Sequence, residues 1–176
     1  ASFTEGTNGT HNVSFEITLS EAVPEQTSVQ ISSTDGTAVS IANGLPADFT
    51  AFDQTVTFAP NSTSELVTIA INADNIDEAN PDPESFTVTL GVVSDPELVI
   101  VNPSNNVASI DIIDDDDTPT VSIADVLENE GIQGDVSAPE GINEFEFVVS
   151  LSNPSDEVVT VDFTTRDGPA VTGAQD

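Results

Sequence analysis

The residues able to do chemistry in this chain are almost all carboxylates, and they fall into four groups. Glu5 stands in TEG and Asp35 in TDGTA. Asp74, Glu78 and Glu84 share ADNIDEANPDPESF, and Asp114, Asp115, Asp116 and Asp117 form a continuous run. An ionised carboxylate is an acceptor only, and calcium takes about 6–8 hard oxygen ligands from carboxylates, main-chain carbonyls and water. Four consecutive aspartates cannot wrap an ion by themselves, whereas acidic residues from three or four loops at one end of a fold can. An isolated acidic run is more often a solvated face or a linker, so metal binding requires the groups to converge. Asp48 and Asp53 are assigned to a solvated loop.

Catalysis finds few parts here. The chain has no Cys, Lys or Tyr and a single His, so no Ser–His–Asp or Cys–His set can be assembled. Paired carboxylates can serve a glycosidase, but such sites commonly hold sugars on aromatic platforms, and both Trp and Tyr are absent. The expected class is a binding or structural module, not an enzyme. His11, in NGTHN, reads as an exposed turn residue. Arg166, beside Asp167, reads as a neutraliser of nearby carboxylates, not a phosphate ligand. Asn8, Asn12 and Asn61 each open an N-x-S/T sequon, which matters only where secreted proteins are glycosylated.

The elements that must position the carboxylates are strands. Val13, Phe15, Ile17 and Leu19 alternate with polar residues, and Val29 with Ile31, then Val56 with Phe58, repeat the pattern. Val67, Ile69 and Ile71 follow, then Phe86, Val88 and Leu90, then Leu98 and Ile100, then Ile110 and Ile112. Short strands broken by turn signals such as Pro60-Asn61 predict an all-β, immunoglobulin-like antiparallel β-sandwich. After residues 114–119 the pattern restarts with Val121 and Ile123, then Phe145, Phe147, Val149 and Leu151, then Val159, Val161 and Phe163.

That restart is a tandem repeat. FEITLS ends at Ser20 and FVVSLS at Ser152, while TDGTA holds Asp35 and RDGPA holds Asp167, so both pairs are offset by 132 residues. The expected organisation is one repeat over residues 1–117, lacking its first strand, and the N-terminal part of a second over 118–176. The second copy opens on a strand at residues 120–125, with no counterpart before Ala1. A half sandwich leaves an open edge, so a foreign strand beside residues 145–163 is an expected way to complete it.

Charge narrows the partners. With 32 carboxylates and Arg166 as the only Lys or Arg, the net charge is −31, which repels nucleic acid and anionic membranes. Repulsion on that scale needs dispersal, salt or bound cations. No apolar run is long enough to span a bilayer, and the first residues read as mid-domain sequence without a signal peptide. A chain free of Cys and Lys leans toward the outside of a cell.

In that order, TEG, TDGTA, VTFAPNSTSELVTIAINAD, PESFTVTL and IDIIDDDD resemble the Calx-beta domain. This family includes the regulatory calcium-binding domains of sodium–calcium exchangers and many repeats of bacterial surface proteins. The resemblance implies calcium as cofactor, with Glu5, Asp35, Asp74, Glu78, Glu84, Asp114, Asp115 and Asp116 as ligands. Glu130 and Asp167 match the first two positions in the second copy. Two departures lower the expected number of ions to one or two. Ala73 stands where the exchanger domains continue a run of Asp, and ANPD is inserted before Pro83. The function so implied is a calcium-binding structural repeat of a bacterial extracellular surface protein, adhesin or filament, stiffened at its junctions by ions. Neighbouring repeats or copies of the same protein are its expected partners. The alternatives are a calcium-sensing regulatory domain and a passive acidic spacer.

Overall fold

The computed structural model describes residues 1–41, 46–78, 83–126 and 146–166. Nine strands appear among them: β1 (Ser2–Thr4), β2 (Gly9–Thr18), β3 (Thr27–Thr34), β4 (Asp53–Phe58), β5 (Ser64–Ala73), β6 (Glu84–Val93), β7 (Val107–Ile113), β8 (Val121–Ile123) and β9 (Val149–Leu151). The first seven form a sandwich of two sheets, one ordered β1-β7-β6-β3-β4 and the other β2-β5. All pairings are antiparallel except that of β1 with β7.

Alternation builds this layer pair as the sequence predicts. Val67, Ile69 and Ile71 on β5 are buried, as are Phe86 and Val88 on β6 and Ile110 and Ile112 on β7, while the residues between them turn outward or to the rim. Phe49, Phe58 and Phe86 anchor the core, each at most 1% exposed. Phe49 and Phe86 stack with ring centroids 3.9 Å apart. Burial of each Phe contributes about 1.5–3 kcal/mol, and stacking adds about 0.5–1.5 kcal/mol.

Register decides where the carboxylates go. Gly9 at the start of β2 faces Ala73 at the end of β5. Glu84 at the start of β6 faces Ile112, and Thr4 at the end of β1 faces Ile113. Glu5, Asp74, Glu84 and Asp114 therefore leave or enter the sheets at the same pole. The pairing of Thr18 with Ser64 marks the opposite pole.

Several expectations are corrected. Leu98 and Ile100 form no strand. Residues 96–98 make a turn in which Leu98 and Val99 donate to the Asp95 carbonyl (3.2 and 3.0 Å), and Asp95 Oδ1 accepts from Glu97 N (3.0 Å). A short acidic side chain that binds its own following backbone favours a turn over a ladder. His11 lies within β2, paired with Ile71, and not in a turn. In the second copy β8 pairs with β9, but Phe147 lies outside β9, and Val159, Val161 and Phe163 join no ladder among the described residues. Alternation alone does not make a strand without a neighbouring edge to bond to.

Among the described residues, the second copy touches the first through one turn. Asp77 N donates to Pro154 O (3.1 Å), Asp156 N donates to Asp77 O (3.2 Å), and Asp77 and Ser155 form a parallel bridge. Asn153 Nδ2 donates to Asp117 O (2.8 Å).

Candidate metal centre

The predicted carboxylates of the first copy sit at strand ends or in the loops beside them, and the loops carrying Glu5, Asp74, Glu78, Asp114 and Asp115 are tied to one another by carboxylate–backbone hydrogen bonds. Glu5 follows β1, and its N–H donates to Ile113 O (2.9 Å), extending the parallel ladder by one residue. Glu5 Oε1 accepts from Asp74 N (3.1 Å) and Asp74 Oδ1 accepts from Ile76 N (2.8 Å). Asp114 Oδ2 accepts from Glu78 N and Asp114 Oδ1 from Asp116 N, both at 2.8 Å. Asp115 Oδ1 accepts from Gly6 N (2.7 Å). Gly6 has φ +88°, a conformation that side chains rarely adopt, and this lets its N–H face the Asp115 carboxylate.

The Asp35 turn is held differently. Ala38 N donates to Ser85 O (3.0 Å), and Ser85 N donates to Thr37 Oγ1 (2.7 Å), so TDGTA is fastened to the residue following Glu84. A Cβ on Gly36 would run into the Ser85 carbonyl, which explains why glycine follows Asp35. Asp35 itself is exposed at the edge of the acidic pole.

One ligand candidate escaped the sequence. Asp48, assigned above to a solvated loop, is only 8% exposed. It precedes the core residue Phe49, and the segment is drawn inside by main-chain bonds from Thr50 N to Ala70 O (3.0 Å) and from Asn72 N to Asp48 O (2.9 Å). Oxygens of Asp48, Glu78 and Glu84 all lie within 4.8 Å of one another. The usable signal was Asp48 immediately before an apolar aromatic, since a loop residue next to a core Phe cannot stay far from the core. Asp53, by contrast, is exposed as expected, although it opens strand β4 opposite Ser32 and does not lie in a loop, and its Oδ1 accepts from Gln30 Nε2 (2.6 Å).

The electrostatics are those of a cage lacking positive charge. Burial, opposed by the hydrogen bond from Asp74 and reinforced by Glu78, Asp74 and Asp114, pushes Glu5 up to about 8. Burial and the charges of Asp48, Asp74, Asp114 and Asp156 push Glu78 to about 7, with no hydrogen bond to offset them. Burial, the charge of Asp48 and a shared hydrogen bond with it push Glu84 to about 8, and Asp48 is also raised, chiefly by burial. Asp116 is raised by burial and then by its acidic neighbours.

These groups suit a hard divalent cation. The donors are all oxygen, and Asp116 Oδ2 is buried with no hydrogen-bond partner. The chain's only Lys or Arg, Arg166, is an exposed residue of the second copy. Glu5, Asp74, Glu78, Glu84, Asp114, Asp115 and Asp116 are gathered at one pole with Asp48, and Asp35 stands at its rim. Glu130 and Asp167 lie outside the described residues.

Comparison with known proteins bears on the family and the fold. A family model of the Calx-beta domain matches residues 4–116 and again residues 130–176. Among solved structures, calcium binding domain CBD12 of CALX1.1 is 21% identical, with a TM-score of 0.51. CBD12 from CALX1.2 is 20% identical, with a TM-score of 0.52. Each match covers 65% of this chain and 41% of the other. The apo-form Calx CBD1 domain, 20% identical with a TM-score of 0.50, is matched over 65% of this chain and 89% of its own. At such identities the likeness is one of fold. No curated protein matches the chain. The repeated family match over nearly the whole length, on a sandwich of the same fold, places this chain in the Calx-beta domain family.

Proposed function

We propose that this chain is a calcium-binding structural repeat of an extracellular surface protein, of the bacterial adhesin or filament kind, whose ions stiffen the junction between repeats. The observation that carries the reading is the convergence of Asp48, Glu78 and Glu84 within 4.8 Å, beside Glu5 and Asp116, with no basic side chain to neutralise them. Bound calcium would supply the positive charge that lets these carboxylates stay ionised side by side. Glu5, Asp74, Glu78, Glu84, Asp114, Asp115 and Asp116 would hold it, with Asp48 from within and Asp35 from the rim.

The junction role draws support from the turn at residues 153–156, which bonds the backbone of Asp77, between Asp74 and Glu78. Ordering of the acidic loop by a cation would order the surface on which that turn rests. A calcium-sensing regulatory domain is the second reading, favoured by fold neighbours that are calcium binding domains of CALX proteins.

Calorimetric titration with calcium, paired with melting curves, tests the reading. Calcium should raise the melting temperature of the intact chain, and Asp114→Ala should abolish most of that rise while Asp35→Ala removes less. A melting temperature indifferent to calcium, with no heat of binding, leaves a passive acidic spacer.

A further inference from the structure

The turn that seats the second copy on the first grips it around one peptide group. Asp77 N donates to Pro154 O (3.1 Å), while Asp77 O accepts from Asp156 N (3.2 Å) and from Ser155 Oγ (3.3 Å). Asp77 is only 6% exposed. Its carbonyl and the Glu78 N–H belong to the same planar peptide unit. That N–H donates to Asp114 Oδ2 (2.8 Å), and Asn153 Nδ2 donates to Asp117 O (2.8 Å) at the far end of the same aspartate run. One rigid peptide plane is therefore held by the second copy on one side and by Asp114 on the other.

The turn also brings charge. The Asp156 carboxylate acts on both Glu78 and Glu84, adding to the repulsion that each already feels from Asp48. These are the three residues whose oxygens lie within 4.8 Å of one another. Asp156 is exposed, as Asp35 is, so facing the pole costs it little desolvation. Nor is the grip a property of the repeat pattern. By the 132-residue offset, Asn153, Ser155 and Asp156 correspond to Glu21, Val23 and Pro24. Pro24 has neither an N–H to donate nor a carboxylate. Val23 is buried, and its carbonyl accepts from Asn61 N (2.7 Å) within the first copy. Both the backbone bonds and the charge belong to this turn of the second copy.

We infer, resting on the calcium reading of the acidic pole, that Asp156 belongs to the metal centre of the first copy. The second copy lends a carboxylate to the cation that Asp48, Glu78 and Glu84 would hold. The Asp156 charge then reverses the sign of its effect. Without a cation it repels Glu78 and Glu84, and so works against its own backbone bond to Asp77. With a divalent cation beside those groups the same charge is attracted. Coupling of this kind is reciprocal, so whatever affinity calcium gains from Asp156, the seated turn gains from calcium. The ion itself closes the junction, in addition to ordering the loop on which the turn rests.

Calcium titration calorimetry on the intact chain, at physiological salt, tests this together with amide exchange at Asp77 and Asp156. Both N–H groups bond across the junction, so their protection reports whether the turn is seated. Asp156→Asn keeps the backbone donor and the side-chain size and removes the charge. It should lower calcium affinity about tenfold. In chelator this variant should exchange more slowly than the parent chain at both amides, and in saturating calcium more quickly. Asp156→Glu should restore most of the affinity. Glu157→Gln, which removes the next charge of the turn, should leave affinity and exchange unchanged. A residue that only shapes the turn would shift exchange in the same direction with and without calcium, and that outcome overturns the inference. So does an Asp156→Asn chain of unaltered calcium affinity, or an equal loss in Glu157→Gln, which would make the effect one of net charge. In those cases the parent chain still binds calcium and the reading of the pole stands. A parent chain that takes up no calcium overturns both.

Discussion

Glu78 concentrates the problem of the acidic pole in one side chain. Its backbone N–H is held by Asp114, its residue is only 9% exposed, and its carboxylate faces Asp48 and Glu84. At pH 8 it is mostly ionised, given a value of about 7, and it then costs the metal-free fold the repulsion of those neighbours. Glu78→Gln keeps the shape and removes the charge. The expected outcome is a higher melting temperature in chelator and a calcium affinity lowered at least about tenfold, read by calorimetric titration. A side chain serving only as structural support would lower stability and leave affinity alone. Asp48 teaches the complementary lesson. Acidic spacing pointed to Glu5, Asp74, Glu84 and Asp114, because those residues are clustered or repeated in sequence. Asp48 belongs to no cluster, and its place among them is set by the burial of Phe49 and by the main-chain bonds of Asn72 and Thr50.

Turns, more than strands, set the geometry of the site. The turn carrying Asp35 is fixed by the close approach of Gly36 to Ser85, so Gly36→Ala should push the two segments apart. The expected loss is about 1–3 kcal/mol by chemical denaturation, with weaker calcium binding as Asp35 moves from Glu84. Strands were legible from alternation wherever one face was buried, as in Val67, Ile69 and Ile71. Leu98 and Ile100 carry the same alternation and yet form no strand, because Asp95 captures the backbone after it. Period-2 patterning records which side chains could share a face; whether a neighbouring edge exists is a tertiary fact. Likewise the four acidic groups were legible as groups, but their convergence required the register that sets Gly9 opposite Ala73 and Glu84 opposite Ile112.

For the molecule as a whole, an excess of 31 negative charges makes stability a function of protons and salt. Glu5, Glu78 and Glu84 have folded-state values of about 8, 7 and 8, all above the ordinary 4.5. The folded state therefore holds protons that the unfolded chain has already released, so metal-free stability falls as pH rises from about 4.5 through about 8. Melting in chelator across that range should show a steady decline, flattened by added calcium and raised throughout by salt. A metal-free melting temperature that rises with pH would contradict the buried, raised carboxylates. One feature of the fold bears on force. β1 and β7 run parallel, and β7 leads out of the sandwich at the end toward which β1 also points. Tension applied through Ser2 on one side and Asp114 on the other drags these strands in opposite senses along their length. The bonds joining Ser2–Thr4 to β7 are then sheared together and share the load, whereas a hairpin pulled at its open end would give them up one at a time.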